Sequence, residues 1–317
     1  MKIFKFGGKS LATAEKAQNI CKYIKKIYKN DKKIIIVVSA RAKTTDELDA
    51  LSKEYDSKQS SKKELAKLLA TGETQSACLF AMMLTSMGIP AQSLTATELQ
   101  ITTFGDYTSS RIANLNKSVL DNLLNENIVA VVTGFQGVNK LGEITTLGRG
   151  GSDTTACAIG AVFDTPVHIF SDFDGVFAGD PRILDFKKLK AVGFNQMISM
   201  AENGSKVIDK RATVIAKHFG IDIISKSSAS PELSGTVISN IESDVVSISV
   251  IDHLTRITIT FSNDEKLKLI TKIVLKHLTK TKFYNFSINF NKITFFIENE
   301  KKSEIITLIA KALNICR

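Results

Sequence analysis

The chain of 317 residues contains no tryptophan and only four cysteines, Cys21, Cys78, Cys157 and Cys316. The cysteines are scattered, with no CxxC pair and no histidine at ligand spacing, which argues against a zinc site and for reduced thiols in a cytoplasmic setting. No apolar run approaches the roughly 20 residues that span a bilayer. The N-terminal MKIFKFGGKS has no apolar signal-peptide core and reads as a strand entering a turn. These absences lead to the expectation of a protein with no metal site, no membrane partner and no export. At 44% hydrophobic residues the chain can bury a sizeable core, and its length suggests about two domains.

The net charge is +10. The lysines are spread along stretches such as KKIYKNDKK at 25–33, FKKLK at 186–190 and KLKLITKIVLKHLTKTK at 266–282, interleaved with apolar helix positions. That is the pattern of solvated helix faces. Without tryptophan, an RNP-type aromatic signature or a Cys/His finger, nucleic-acid binding is not expected. The same positive field favours a polyanionic small substrate such as a nucleotide.

A βα rhythm runs through the first two thirds of the chain. Lys2 to Phe6 reads as a strand, and Ala12 to Tyr28 as a helix with Ala17, Ile20, Cys21, Ile24 and Ile27 on one side. IIIVV at 34–38 and IVAVVT at 128–133 are β-branched runs suited to strands buried on both faces. Helices are expected over Lys62 to Leu69, Gln75 to Met87, Ser118 to Asn125 and Thr154 to Val162, with strands at AQSLTA and VHIFS. Such alternation predicts a three-layer α/β/α sandwich, with ligands at the carboxyl ends of parallel strands. At those ends fall Lys5 beside Gly7 and Gly8, then Ser39, Gly134 to Gly137, and Ser171 with Asp172.

The stretch ITTLGRGGSDTTA at 144–156 is a glycine turn leading into a helix. Gly148, Gly150 and Gly151 open the main-chain N–H groups to a ligand, while Ser152, Asp153, Thr154 and Thr155 offer capping oxygens. Arg149 adds a fork of donors that matches a carboxylate or a phosphate.

KFGGKS at 5–10, VVSARAKTTDEL at 37–48, TGE at 71–73, GFQG at 134–137 and TTLGRGGSDTTA at 145–156 continue into FSDFDGVFAGDPR at 170–182, KVIDKRATVIAKHFGI at 206–221 and SSASPELSGT at 227–236. In this order the motifs resemble those of aspartate kinases, within the wider amino acid kinase fold. The resemblance implies transfer of the ATP γ-phosphoryl group to the side-chain carboxylate of L-aspartate, with Mg²⁺ accompanying the nucleotide. It implies that Lys5 and Lys206 are the catalytic cations. Ser39, Thr45, Glu73, Arg149 and Asp153 would bind the amino acid, Arg149 its α-carboxylate and Glu73 with Asp153 its ammonium group. Lys5, Gly7, Gly8, Ser10, Ser171, Asp172, Phe177, Asp180, Arg182 and Lys206 would bind the nucleotide. Because that arrangement buries charges which need a partner, the site is expected to close when filled.

The chain departs from the family pattern at Lys9, Phe177, Asp209, Lys210 and Lys226. A related kinase acting on another carboxylate or carbamate, and a non-catalytic amino-acid sensor, remain alternative readings. The tail changes rhythm: Val245 to Phe261 alternates, Asn263 to Leu278 is an amphipathic helix, Asn285 to Ile297 holds two strands split near Asn291, and Glu304 to Ile315 is a last helix. This β-α-β-β-α order resembles the ACT domain, of ferredoxin-like α+β type. The expected division is therefore a catalytic domain at 1–238 and one regulatory or dimerisation unit at 239–317. A single such unit carries the expectation of a homodimer or higher homo-oligomer and of weak or no inhibition by lysine and threonine. His277, on an apolar helix face, is read as a bystander.

Overall fold

The computed structural model describes residues 1–241, 247–251, 256–261, 265–278, 283–289 and 292–316. Strand β1 (Lys2–Phe6) passes through Gly7 into a short 3-10 turn (Gly8–Leu11) and helix α1 (Ala14–Tyr28), which Thr13 caps by accepting from the Lys16 N–H. Strand β2 (Ile34–Val38), helices α2 (Thr44–Tyr55) and α3 (Lys62–Ser86), and β3 (Ala91–Leu94) follow. Next come β4 (Thr102–Phe104), β5 (Arg111–Asn114), α4 (Lys117–Asn125), β6 (Val129–Thr133), β7 (Gln136–Val138) and β8 (Ile144–Thr146). The chain continues through α5 (Gly151–Phe163), β9 (Val167–Ser171), β10 (Ala191–Gly193), α6 (Phe194–Glu202), α7 (Lys210–Phe219), β11 (Ile223–Ser227) and β12 (Thr236–Ser239). It closes with β13 (Ser247–Ile251), β14 (Arg256–Thr260), α8 (Glu265–Leu278), β15 (Phe283–Asn289), β16 (Lys292–Ile297) and α9 (Lys302–Ala312). The chain forms two compact units: Met1–Asp174 with Arg211–Ser234, and Gly175–Lys210 with Gly235–Arg317.

The first unit is built on parallel strands in the order β11-β9-β1-β2-β6-β3. Every residue of β2 and β6 is buried, as their β-branched runs require of strands covered on both faces. Strand alternation sorts the two faces. Phe4 and Phe6 of β1 pack with Ile20 and Ile24 of α1 and with Phe80 and Leu84 of α3. Lys5, between them, points to the other face, where α5 lies against β1. The three layers expected from the sequence are thus present, with Lys5 facing the helix that follows the glycine turn.

Two local features differ from the sequence reading. The segments expected as separate helices at 62–69 and 75–87 form one helix of 25 residues. Gly72, between the two expected segments, permits close packing: a Cβ there would stand 2.8 Å from the Cβ of Ala40. A small second sheet, in the order β5-β4-β7-β8, went unforeseen because its strands are only three or four residues long, too short to show periodicity.

In the second unit β10 pairs with β12 in parallel, and β13-β14-β16-β15 form an antiparallel sheet whose core joins Ile257, Ile259, Phe295, Val274 and Ile306. The alternating run read as one strand folds as two, β13 and β14, in antiparallel register with Ser249 opposite Thr258. The order is therefore ββαββα. Residues 252–255 between these strands, the expected break near Asn291, and the expected element starts at Val245 and Asn263 lie outside the described residues, as does the His277 side chain.

The aromatic centre of the first unit gives a stability test. Phe6 is fully buried and stacks on Phe170 at 4.8 Å between ring centroids. Phe6→Ala should lower unfolding free energy by about 3–5 kcal/mol in urea titration, and a loss under about 1 kcal/mol would contradict this packing.

Candidate active site

The glycine turn owes its shape to backbone positions that side chains tolerate poorly. Gly148 and Gly150 have φ of 73° and 74°. A Cβ on Gly151 would stand 2.8 Å from the Leu147 Cβ, and one on Gly134 would stand 2.6 Å from the Ser152 Cβ. The GFQG and GRGGS segments, distant in sequence, therefore fit against each other only as glycines. The capping differs from expectation. Gly150 is the N-cap of α5 with no side-chain cap bond. The Thr154 and Thr155 hydroxyls donate backward to the Gly150 and Gly151 carbonyls, at 3.3 and 3.1 Å, instead of accepting from the first turn.

Lys5, Ser39, Thr45, Glu73, Arg149 and Asp153 line one cleft of about 580 Å³ in the first unit. Lys5 Nζ meets Asp153 Oδ1 at 2.7 Å, with both side chains largely buried. The cation read for phosphate and the carboxylate read for the substrate ammonium group are thus each other's partner here. Glu73 sits in the middle of α3, 3% exposed, and one carboxylate oxygen accepts the Ala40 N–H at 2.9 Å. Its second oxygen has no hydrogen-bond partner among the described residues. Burial pushes its pKa up to about 7, while the Ala40 N–H and the charge of Lys5 pull the other way. Arg149 is exposed on the turn.

Asp46, Asp49, Thr108 and Phe135 line the same cleft and were not singled out in the sequence. Asp49 pairs with Lys53 at 2.6 Å, and that bond, with Gln59 and the charge of Arg149, holds its carboxyl below the usual range. The acidic positions of TTDELDAL were legible as a helix start, but nothing in them signalled a cleft wall. Arg211 was also missed. Its guanidinium donates to the carbonyls of Leu147 and Arg149 and so braces the glycine turn from behind.

Around the first strand's end, Gly8 approaches Ala40 so closely that a Cβ would stand 2.3 Å from its carbonyl oxygen. Gly7 donates its N–H to the Phe170 carbonyl at 3.2 Å, so this amide serves the fold and is not open for a phosphate. Ser10 donates to Ser228, which donates to the Ser171 carbonyl, at 2.9 and 3.0 Å. Lys9 pairs with Asp172 at 2.8 Å in an exposed position.

Phe177, Asp180, Arg182 and Lys206 belong to the second unit. There Arg182 forks onto Asp180 at 2.6 and 2.9 Å across Pro181, and Phe177 bridges to Lys188. Lys206 is exposed in the segment between α6 and α7.

The model of the amino acid kinase family matches residues 1–225. An aspartokinase of Bacillus sp. (strain MGA3) is 38% identical over 262 residues, covering 80% of this chain and 63% of that protein. An aspartokinase of Rickettsia felis is 33% identical over 318 residues, 99% of this chain and 78% of its own length. The chain spans about three fifths of the length of the Bacillus and Geobacillus relatives. An aspartate kinase structure from Synechocystis superposes with a TM-score of 0.66 at 27% identity, over 99% of this chain and 56% of that one. E. coli aspartokinase III, solved with aspartate and ADP, reaches a TM-score of 0.83 over 99% of this chain and 100% of that chain, and at 17% identity shows a shared fold.

The buried carboxyl of Glu73 makes a signed pH prediction. A pKa raised from 4.5 to about 7 means that the folded state binds the proton more tightly than the unfolded state. Without ligand, this group's contribution is most favourable below pH 4.5 and is lost as pH rises to about 7. The loss is on the order of 3 kcal/mol. Glu73→Gln should remove that part of the decline, so chemical denaturation at pH 5 and pH 8 should show the variant gaining relative to wild type at the higher pH. An identical pH dependence in both proteins would refute the assignment.

Proposed function

Because this chain belongs to the amino acid kinase family, we propose that it is an aspartate kinase, transferring the γ-phosphoryl group of ATP to the side-chain carboxylate of L-aspartate to give 4-phospho-L-aspartate and ADP. The observation that carries this reading is the set of groups on one cleft: a guanidinium at Arg149, a buried carboxylate at Glu73 and an ammonium at Lys5. A guanidinium and a carboxylate in one cleft suit an α-amino acid, whose own α-groups carry the opposite charges. A cleft of about 580 Å³ admits a small substrate. The aspartokinases named above, one of them solved with aspartate and ADP, support the same substrates.

The chemistry needs no general base, since the acceptor carboxylate, with a pKa of about 3.9, is ionised at neutral pH. A carboxylate oxygen attacks the γ-phosphorus, the bond from that phosphorus to the bridging oxygen breaks, and ADP leaves with the electron pair. The barrier is repulsion between two anions, so positioning and positive charge do most of the catalysis. In this reading Lys5 exchanges its Asp153 partner for phosphoryl oxygens as Asp153 turns to the substrate ammonium group. Ser39 and Thr45 hold the attacking carboxylate, and Lys206 is the second cation. Gly8, Ser10, Ser171, Asp172, Phe177, Asp180 and Arg182 are read as nucleotide contacts. Mg²⁺ enters as part of the MgATP substrate and screens its phosphates.

The antiparallel sheet with α8 and α9 is read as an ACT-like regulatory or dimerisation unit, consistent with a homo-oligomeric cytoplasmic enzyme. No helix among the described residues is long and apolar enough to cross a membrane.

A hydroxamate assay with MgATP and, in parallel, aspartate, glutamate and acetylglutamate should give acyl phosphate with aspartate alone. Turnover of another acceptor, or of none, would overturn the reading. Lys5→Met should reduce kcat about 100-fold or more, as loss of a preorganised transition-state donor does. Arg149→Lys should raise KM for aspartate about tenfold, because an ammonium cannot reproduce a two-pronged contact.

A further inference from the structure

The two hydrogen bonds from Arg211 act on alternate peptide groups of the glycine turn. Nη1 takes the Leu147 carbonyl and Nη2 the Arg149 carbonyl. A trans peptide is planar, with its C=O and N–H pointing in opposite directions. Fixing these two carbonyls toward Arg211 therefore fixes the N–H groups of Gly148 and Gly150 away from it. Both glycines line the cleft, both lie in the left-handed region, and neither N–H has an acceptor among the described residues. Rotation of either peptide plane would lose a charge-assisted bond to Arg211.

Helix α7 gives an independent indication. It opens on Lys210 and Arg211, with no acidic residue in its first turn, the end of a helix where the backbone dipole disfavours cations. Arg211 is half-buried at that unfavourable place and directs its charge onto two main-chain carbonyls. A surface cation recruited for solubility would show neither property.

We propose that Arg211 is a positioning residue for the amino-acid substrate: it locks the Leu147–Gly150 turn so that the amides of Gly148 and Gly150, together with the Arg149 side chain, form a cradle for a substrate carboxylate. This rests on the reading of the cleft as an amino-acid site. Arg211 does not touch the substrate. It acts through two peptide groups, and only a guanidinium has the rigid fork that reaches both.

The test compares wild type, Arg211→Ala and Arg211→Lys by calorimetric titration of L-aspartate, by steady-state kinetics and by amide hydrogen exchange over residues 147–153. Both variants should exchange faster in that segment. Arg211→Ala should weaken aspartate binding about tenfold or more, the worth of one charge-assisted hydrogen bond. It should raise KM for aspartate and leave KM for ATP near the wild-type value. Millimolar guanidinium should restore aspartate binding to Arg211→Ala, which general destabilisation would not allow. Wild-type exchange in the variants, or wild-type aspartate affinity in Arg211→Ala, overturns the proposal. If Arg211→Ala fails to fold by circular dichroism, Arg211→Lys carries the same comparisons. If wild type itself binds no aspartate, the reading of the cleft fails, and the exchange rates still decide whether Arg211 braces the turn.

Discussion

The ion pair between Lys5 and Asp153 joins the central strand of the parallel sheet to the helix that follows the glycine turn. Much of the first unit's geometry bears on it. Lys5 reaches α5 because strand alternation turns it away from the phenylalanine face formed by Phe4 and Phe6. Asp153 reaches Lys5 because the turn before α5 is made of residues small enough to lie against Gly134 and Phe135. Taking two opposite charges out of water is expensive, and the pairing offsets that cost. In the proposed reaction both charges take other partners, so the pair neutralises two groups that the chemistry then uses separately.

Glu73 illustrates a different solution to the same problem. Its carboxyl is buried with a single main-chain donor and one oxygen without a partner, so its environment favours the protonated form until a cation arrives. In the proposed reading, this same carboxyl, whose burial favours its protonated form, is the one that meets the substrate ammonium group. Gly72, next to it, lets α3 press against Ala40, the residue that donates to Glu73. Packing and electrostatics at this point depend on one missing side chain.

Much of this arrangement was legible in the sequence. The β-branched runs fixed the buried strands, the glycines marked the turn, and the order of motifs brought Lys5, Ser39, Thr45, Glu73, Arg149 and Asp153 together on paper as they are in the cleft. What escaped the reading has physical causes. The small sheet is built from strands too short to show a period. The long helix α3 runs through a glycine that local propensity reads as a break, because its tertiary contact outweighs a cost of about 1 kcal/mol. Arg211 acts on carbonyls more than sixty residues away in the chain, and such reach leaves no local pattern. Asp46 and Asp49 look like ordinary acidic residues of a first helical turn until α2 is placed beside the cleft.

The discontinuity of the first unit has a consequence for how the protein is made. Strand β9 ends at Ser171, yet its neighbour β11 begins only at Ile223. During synthesis the ribosome must extend the chain by about fifty residues, roughly 3–10 s at ordinary elongation rates, before β9 can acquire that partner. In this interval one border of β9 presents unsatisfied main-chain groups, a template for wrong pairing with another nascent chain. Assembly in the cell is therefore expected to be most vulnerable after most of the first unit has already emerged, with a requirement for chaperone protection concentrated in that window.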